Sequence, residues 1–349
     1  TIGLVVSPVA SYFTLPFFGQ PDELLPLMKP YLLVNILSIP FAVAGCQFKQ
    51  FFDTIGRTKV SMYVLVSANI LNIVGNYAFI YGHWGCPELG LLGAGLSTAV
   101  SRIVIALSFF IIYVRSKSCR VFFNGTVNAK GCEVKTHFRK INTLGWMSAI
   151  QSTIECGAFS LVAIFVGWIG TKPLAAHQVM ITLSMFFYNI YLGIATAVSI
   201  RVSHFVGMQE RQAIIEVTKS GFFIIIAIAT IMAIPIILFR HDLGSVFSSD
   251  PLVGQLVAAT VIPLIVYQVS DAFQCCLANA LRGLGEMRPM MWAAFVAYFL
   301  VSLPLSWFLG IKMGFGLVGI WSSFPVCLTV AGLLYYIIFR NSLRTKQMT

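Results

Sequence analysis

The sequence predicts an all-α integral membrane protein, and three observations carry that expectation. Of its 349 residues 58% are hydrophobic and only 10% charged, against roughly 25% charged in an ordinary soluble domain. Apolar runs recur along the chain that are long enough to cross a bilayer, which takes roughly 20 residues at about 1.5 Å rise through about 30 Å of hydrocarbon. The basic residues gather in alternate loops between those runs.

The runs fall at 27–52, 60–82, 90–114, 141–169, 175–199, 219–239, 253–281, 290–310 and 316–339, with a partial one at 1–18. The first whole run lies between the turn residues Pro21-Asp22 and the pair Gly56-Arg57, and the second follows Lys59. The third opens at Gly90 and stops at Arg115; the fourth follows a basic loop at 115–138. Lys172, Lys219 and Arg240 mark the ends of the next two, Asp250-Pro251 and Arg282 those of the seventh, and Arg288, Lys312 and Arg340 bound the last two. A membrane barrel would instead show short segments of strict apolar and polar alternation, which the unbroken run from Phe222 to Phe239 does not.

The formal net charge of +11 would suggest nucleic acid in a soluble protein. Here the charges sort by side. Seventeen basic residues lie on one set of loops and the tail, among them Arg57, Arg139, Arg211 and Arg340, and only Lys29, Lys172, Arg240 and Lys312 on the other. Positive residues mark the cytoplasmic side, so the 115–138 loop and the C-terminus are expected there, with no nucleic-acid partner. The eight cysteines form no CxxC pair and imply no disulfide framework. Cys119, Cys132 and His137 match no zinc spacing and lack a fourth ligand. Asn124-Gly125-Thr126 fits a glycosylation sequon but reads first as a turn.

The chain also repeats itself. Residues 18–59 align with 247–288 at a shift of 229 without a gap, pairing the segment Gln50 to Arg57 with Asn279 to Glu286. Further on, Gly90-Leu91-Leu92-Gly93 aligns with Gly316-Leu317-Val318-Gly319. Corresponding helices enter from the same side, which predicts parallel repeats about an axis along the membrane normal. The expected organisation is an incomplete first lobe at 1–114, the inter-lobe loop at 115–138, a six-helix second lobe at 139–340 and a tail at 341–349. Thr1 aligns with Thr230, so the first lobe is expected to lack about 90 residues. That reading makes the chain N-terminally shortened: a fragment, a shortened gene product or a mis-started frame.

Of the twelve acids, only Glu155 and Asp271 lie deep in apolar helices. They sit about 21 and 15 Å from the expected cytoplasmic helix ends, at about 1.5 Å per residue. An ionised carboxylate at mid-bilayer costs about 2.5–3.5 kcal/mol or more, so such groups face a polar cavity, titrate or bind a cation. Tyr267 at i−4 and Gln274 at i+3 extend a polar stripe along the Asp271 helix. Asn69, Asn72 and Asn76 are the deep polar groups of the helix at 60–82; they serve equally as interhelical glue or as substrate contacts. No Walker A, HExxH or GxSxG motif occurs, so neither direct ATP drive nor an enzyme is expected.

The segments Leu174-Ala175-Ala176-His177-Gln178-Val179, Ala197 to Val202 with Gly207, Tyr267-Gln268 with Asp271-Ala272, and Leu281-Arg282-Gly283 resemble the multidrug and toxic compound extrusion (MATE) family. The likeness is greatest to its NorM-like bacterial branch. It implies two six-helix lobes facing each other across a cleft, and export of organic cations in exchange for Na+ or H+ without any other cofactor. It implies a monomer in a bacterial inner membrane. A second-lobe cation site falls on Glu155, 22 residues before His177, and on Tyr267 and Asp271. The paired asparagines of the first lobe match Asn72 and Asn76, and with Gln178 and Gln274 they are expected to line the substrate cavity. The alternatives are a lipid-linked saccharide flippase of the same superfamily, which needs an Arg-lined cavity where only Arg102 is deep, and a non-transporting membrane enzyme or assembly factor.

Overall fold

A computed structural model of the chain describes residues 25–116, 131–240, 243–247 and 250–345. Among these residues all regular structure is helical: α1 (Leu25–Thr54), α2 (Thr58–Tyr81), α3 (Leu91–Arg115), α4 (Gly131–Ile169), α5 (Thr171–Met208), α6 (Arg211–Leu238), the short α7 (Leu243–Phe247), α8 (Pro251–Leu284), α9 (Met287–Lys312) and α10 (Gly316–Thr345), with a single 3-10 turn at His83–Gly85. Nine of them are long and apolar enough to cross a membrane. The partial run at 1–18, Cys119 and the sequon at Asn124 lie outside the described residues. The chain divides into two compact units, 1–131 and 132–349.

Several helices run further than their apolar stretches, α5 to Met208 and α6 from Arg211 among them. α4 begins at Gly131, inside the segment expected to be loop, because no proline or further glycine interrupts the chain before Gly145. Its 39 residues span about 58 Å at about 1.5 Å each, so its charged first turns extend well beyond about 30 Å of hydrocarbon. α10 continues past Arg340 to Thr345.

In the first unit, α1 and α3 pack through Phe52 and Phe109, whose rings stack with centroids 5.5 Å apart, flanked by Phe48, Phe51 and Tyr113. α2 carries exposed Ile70, Ile73 and Tyr77, an apolar face suited to lipid. In the second unit α8 and α10 form the centre: 61% of the most apolar stretch of α10 is buried, the largest share of any span. α6 buries Ile225, Ala229, Ala233 and Ile236 and exposes Phe223, Ile224, Ile231 and Leu238, one face to protein and one to lipid at helical spacing.

The 229-residue repeat has a backbone counterpart. α1 and α8 end in glycines with the same left-handed φ of 78°, Gly56 and Gly285. After each, the chain closes by the same two bonds, Gly56 N to Asp53 O (3.1 Å) and Arg57 N to Phe52 O (2.8 Å), then Gly285 N to Arg282 O and Glu286 N to Leu281 O (both 3.1 Å). This is the glycine-terminated helix end in which the amides past the cap satisfy the last carbonyls. A second pair obeys a steric rule instead. A Cβ on Gly93 would collide with the Phe79 carbonyl oxygen, and one on Gly319 would come within 2.7 Å of the Leu309 carbonyl oxygen.

At the other end of α8, Asp250 caps the helix by accepting from Leu252 N (2.9 Å) and pairs with Lys172 at 3.2 Å. Those two contacts, the amide first, hold its carboxyl below the ordinary carboxylate range. The pair ties the start of α5 to the start of α8, so these helix ends lie on one side.

Candidate functional site

The polar interior of the second unit is built from four helices. On α8, Asp271 is buried and its Oδ2 accepts from the Tyr191 hydroxyl of α5 at 2.7 Å. The same hydroxyl lies 2.7 Å from Gln268 Oε1, one turn before Asp271. On α4, the half-buried Glu155 accepts from the Tyr298 hydroxyl of α9 at 2.9 Å and from Gln151 Nε2 at 3.2 Å. Gln274 Nε2 donates to the Tyr298 hydroxyl at 3.4 Å, which connects the Glu155 cluster back to α8 one turn past Asp271. Arg282 closes the far end by donating to Gln151 Oε1 at 3.2 Å. Asp271 and Glu155 lie within electrostatic reach of each other, and Arg282 within reach of Glu155.

Local sequence explains how these groups are presented. Gln151 and Glu155 are one turn apart and so share a face of α4, as do Gln268, Asp271 and Gln274 on α8. Tyr298 stands in a π-helical segment, Val296–Ser302, which ends where Pro304 removes an amide and crowds the preceding turn. Wide turns of this kind re-aim side chains and recur at functional positions.

The structure places Glu155, Asp271 and Gln274 in one polar interior and distributes the tyrosines among them. The hydroxyl that holds Asp271 belongs to Tyr191, not to Tyr267. The Tyr267 ring is fixed edge-on against Trp321 and Phe324, with centroids 5.6 and 5.9 Å away. Gln178 is exposed, whereas its neighbour His177 is buried and accepts from Trp321 Nε1 through Nδ1 at 3.1 Å. That bond makes His177 a neutral imidazole with its proton on Nε2, which is buried without a partner, as is Gln268 Nε2.

In the first unit Asn72 and Asn76 join each other, Asn76 Nδ2 to Asn72 Oδ1 at 3.2 Å, and Asn72 Nδ2 reaches Ser97 Oγ of α3 at 3.3 Å. Asn69 is exposed. Arg102 donates to Ser38 Oγ at 2.6 Å and Asn35 Oδ1 at 3.3 Å, and Lys49 pairs with Asp53 at 3.0 Å.

Sequence reasoning passed over Tyr191, Tyr298, Gln151 and Arg282 as site residues. Gln151 carried a usable signal, a polar side chain one turn from a deep acid. The two tyrosines carried none, because tyrosine is common in apolar helices.

The chain resembles known transporters over almost its whole length. A probable multidrug resistance protein NorM of Photorhabdus laumondii is 26% identical over 345 residues, 97% of this chain and 75% of that protein. The multidrug resistance protein NorM of Vibrio cholerae is 28% identical over 329 residues, 92% of this chain and 71% of the relative. The crystal structure of the Vibrio cholerae MATE transporter VcmN in the bent form matches with a TM-score of 0.80 at 17% identity, covering 99% of this chain and 77% of that one; at that identity the likeness speaks for the fold. The family model described as MatE matches residues 1–78 and 148–308. With well over half of its residues matched by that model, the chain belongs to the MatE family, whose members are membrane transporters and not enzymes.

Proposed function

We propose that the chain is a secondary active multidrug efflux antiporter of a bacterial inner membrane, C-terminus in the cytoplasm, exporting organic cations or drug-like molecules in exchange for Na+ or H+. The names of its NorM relatives support the substrate class. The observation that carries the coupling is the charge of the network: it holds two carboxylates, Asp271 and Glu155, and one guanidinium, Arg282, which reaches Glu155 through Gln151. With all three ionised one negative charge is left over, which one proton or one monovalent cation neutralises. Tyr191, Tyr298 and Tyr267 lie around that charge as neutral hydroxyls or ring walls, and Gln274, one turn past Asp271, donates to the Tyr298 hydroxyl that holds Glu155. Asn72, Asn76 and Gln178 are assigned to substrate contact.

An ionised carboxylate in hydrocarbon is stable only when compensated. Ion arrival and departure therefore bias the packing of the helices that carry the acids, and a ligand shifts such an equilibrium by its differential affinity for the two packings. The driving force is adequate: one charge crossing about 100 mV releases about 2.3 kcal/mol, roughly a 50-fold concentration ratio. The test is efflux of a dye cation from vesicles holding the protein, with Na+ and pH gradients imposed separately. Efflux is expected to follow one of the gradients and to stop when it is collapsed. Efflux unaffected by collapse of both would overturn the proposal.

A further inference from the structure

Away from the acid network, the second unit holds a cleft of about 400 Å³ between α6, α8 and α10. Three basic side chains line it, Arg211, Lys219 and Arg340, and no acidic one does. Apart from Thr218 its other walls are apolar or aromatic: Phe222 and Phe273 meet edge-on with centroids 5.8 Å apart, with Leu277 and Phe339 beside them. Gly332 lets the Phe273 ring pack close against α10, since a Cβ there would collide with it.

The charges and the apolar walls are sorted by depth. Arg211 opens α6 and Arg340 lies in the last two turns of α10, so the basic residues stand at one end of the helices, the end where basic residues predominate throughout the sequence. Phe222 lies eleven residues into α6 and Phe273 eleven residues before the end of α8. The apolar run of α6 begins at Lys219 and that of α8 ends at 281, so at about 1.5 Å per residue Phe222 and Phe273 lie about 5 and 12 Å inside the hydrocarbon. The cleft therefore has a cationic mouth at headgroup level and an apolar interior that lies within the same leaflet.

We propose that this cleft is a binding site for one anionic phospholipid of that leaflet, its phosphate between Arg211, Lys219 and Arg340 and an acyl chain along Phe222, Phe273 and Leu277. Basic pockets between transmembrane helices recognise anionic headgroups in this way. A cationic drug is repelled by the same mouth, so the site is separate in chemistry from the acid network. The occupant joins α6 and α10 to α8, the helix that carries Asp271.

The experiment is native mass spectrometry of the full chain in neutral detergent, titrated with phosphatidylglycerol, with phosphatidylcholine of the same acyl chains, and with glycerol phosphate as the headgroup alone. Phosphatidylglycerol adducts are expected at concentrations about tenfold lower than those for phosphatidylcholine. Lys219→Gln with Arg340→Gln, both at exposed positions, should erase that preference, and Leu277→Trp should reduce both lipids by filling the cleft. Equal binding of the two lipids, retention of the preference in the double variant, or competition by glycerol phosphate as strong as that by the lipid would overturn the proposal. So would a dimer that excludes lipid, which would assign the cleft to a second copy. Should Leu277→Trp fail to fold, the double variant decides alone.

Discussion

The two units bury polarity in different ways. Among the described residues of α1 to α3, Asn76 donates to Asn72 and Asn72 to Ser97, Arg102 rests on Ser38 and Asn35, and the buried carboxylate Asp53, at the end of α1, is neutralised by Lys49. In α4 to α10 the deep groups include two carboxylates, with tyrosine hydroxyls as their donors. Neutral chains of amides and hydroxyls fix helix packing for about 0.6–2 kcal/mol each and do not change charge state. Carboxylates in the same medium respond to a proton or cation. Among the described residues, this contrast is what the proposed coupling through the second unit rests on.

The most direct way to break that assignment is to remove charge from one unit and polarity from the other. Asp271→Asn and Glu155→Gln keep shape and delete charge; each is expected to abolish gradient-driven dye efflux while the protein still reaches the membrane. Asn72→Ala with Asn76→Ala should lower apparent affinity for the dye several-fold and leave the dependence on ion concentration unchanged. If the asparagine variant lost its ion dependence while either acid variant kept it, the division of labour argued here would be reversed.

A finer comparison lies within the second unit. Tyr191→Phe removes the hydroxyl that lies 2.7 Å from both Asp271 Oδ2 and Gln268 Oε1, leaving the buried carboxylate without its donor. Truncating one member of a buried charged hydrogen bond costs about 1.5–3 kcal/mol, so the ion concentration for half-maximal efflux should move by about tenfold or more. Tyr267→Phe leaves the aromatic contacts with Trp321 and Phe324 in place and should move it far less. Equal effects would restore Tyr267 as a direct ligand.

These two tyrosines also show what a single sequence makes legible. The helices were legible because hydrocarbon imposes a length on every span, and the acids because only two of twelve lie in apolar runs. The glycine pairs were visible as a repeat, though not the reasons for them: a left-handed helix end at Gly56 and Gly285 and a carbonyl in the way at Gly93 and Gly319. Tyr191 was illegible because its partner lies on another helix, 80 residues away. Tyr298 depends on a wide turn ahead of Pro304, and the sequence announces a proline as a kink without saying which side chain the kink turns inward. The start of α4 was missed because charge reads as loop, while helix formation beyond the membrane needs only an uninterrupted backbone.

The repeat makes a prediction about stability in both units. Gly93→Ala places a methyl group against the Phe79 carbonyl and Gly319→Ala one against the Leu309 carbonyl. Overpacking of this kind costs about 1–3 kcal/mol, so both variants should unfold at lower temperature in detergent. Gly56→Ala and Gly285→Ala meet no atom but require a left-handed alanine, which costs about 1–2 kcal/mol. Loss of stability in one member of either pair and not in the other would mean that the two copies no longer use those glycines alike.

The smallest effect belongs to Asp250, and its pH dependence has a definite sign. Its carboxyl is held below the ordinary value of about 3.9 by the Leu252 amide and by Lys172. A carboxylate bound more tightly to its partners in the folded state stabilises that state while it is ionised in both states. The contribution is therefore complete at neutral pH and is lost as pH falls below about 3.9 through the depressed folded value. Asp250→Asn retains a capping side chain, since asparagine is as good an N-cap, and removes the charge that Lys172 answers. Exposed pairs contribute little, so the melting temperature at pH 7 should fall by only about a degree or two. The gap to the unmodified protein should then close as the pH is lowered through that range. Lys172→Met, which removes the pair and spares the cap, should reproduce most of the gap at pH 7; if it does not, the amide alone holds Asp250 and the tie between α5 and α8 adds nothing to stability.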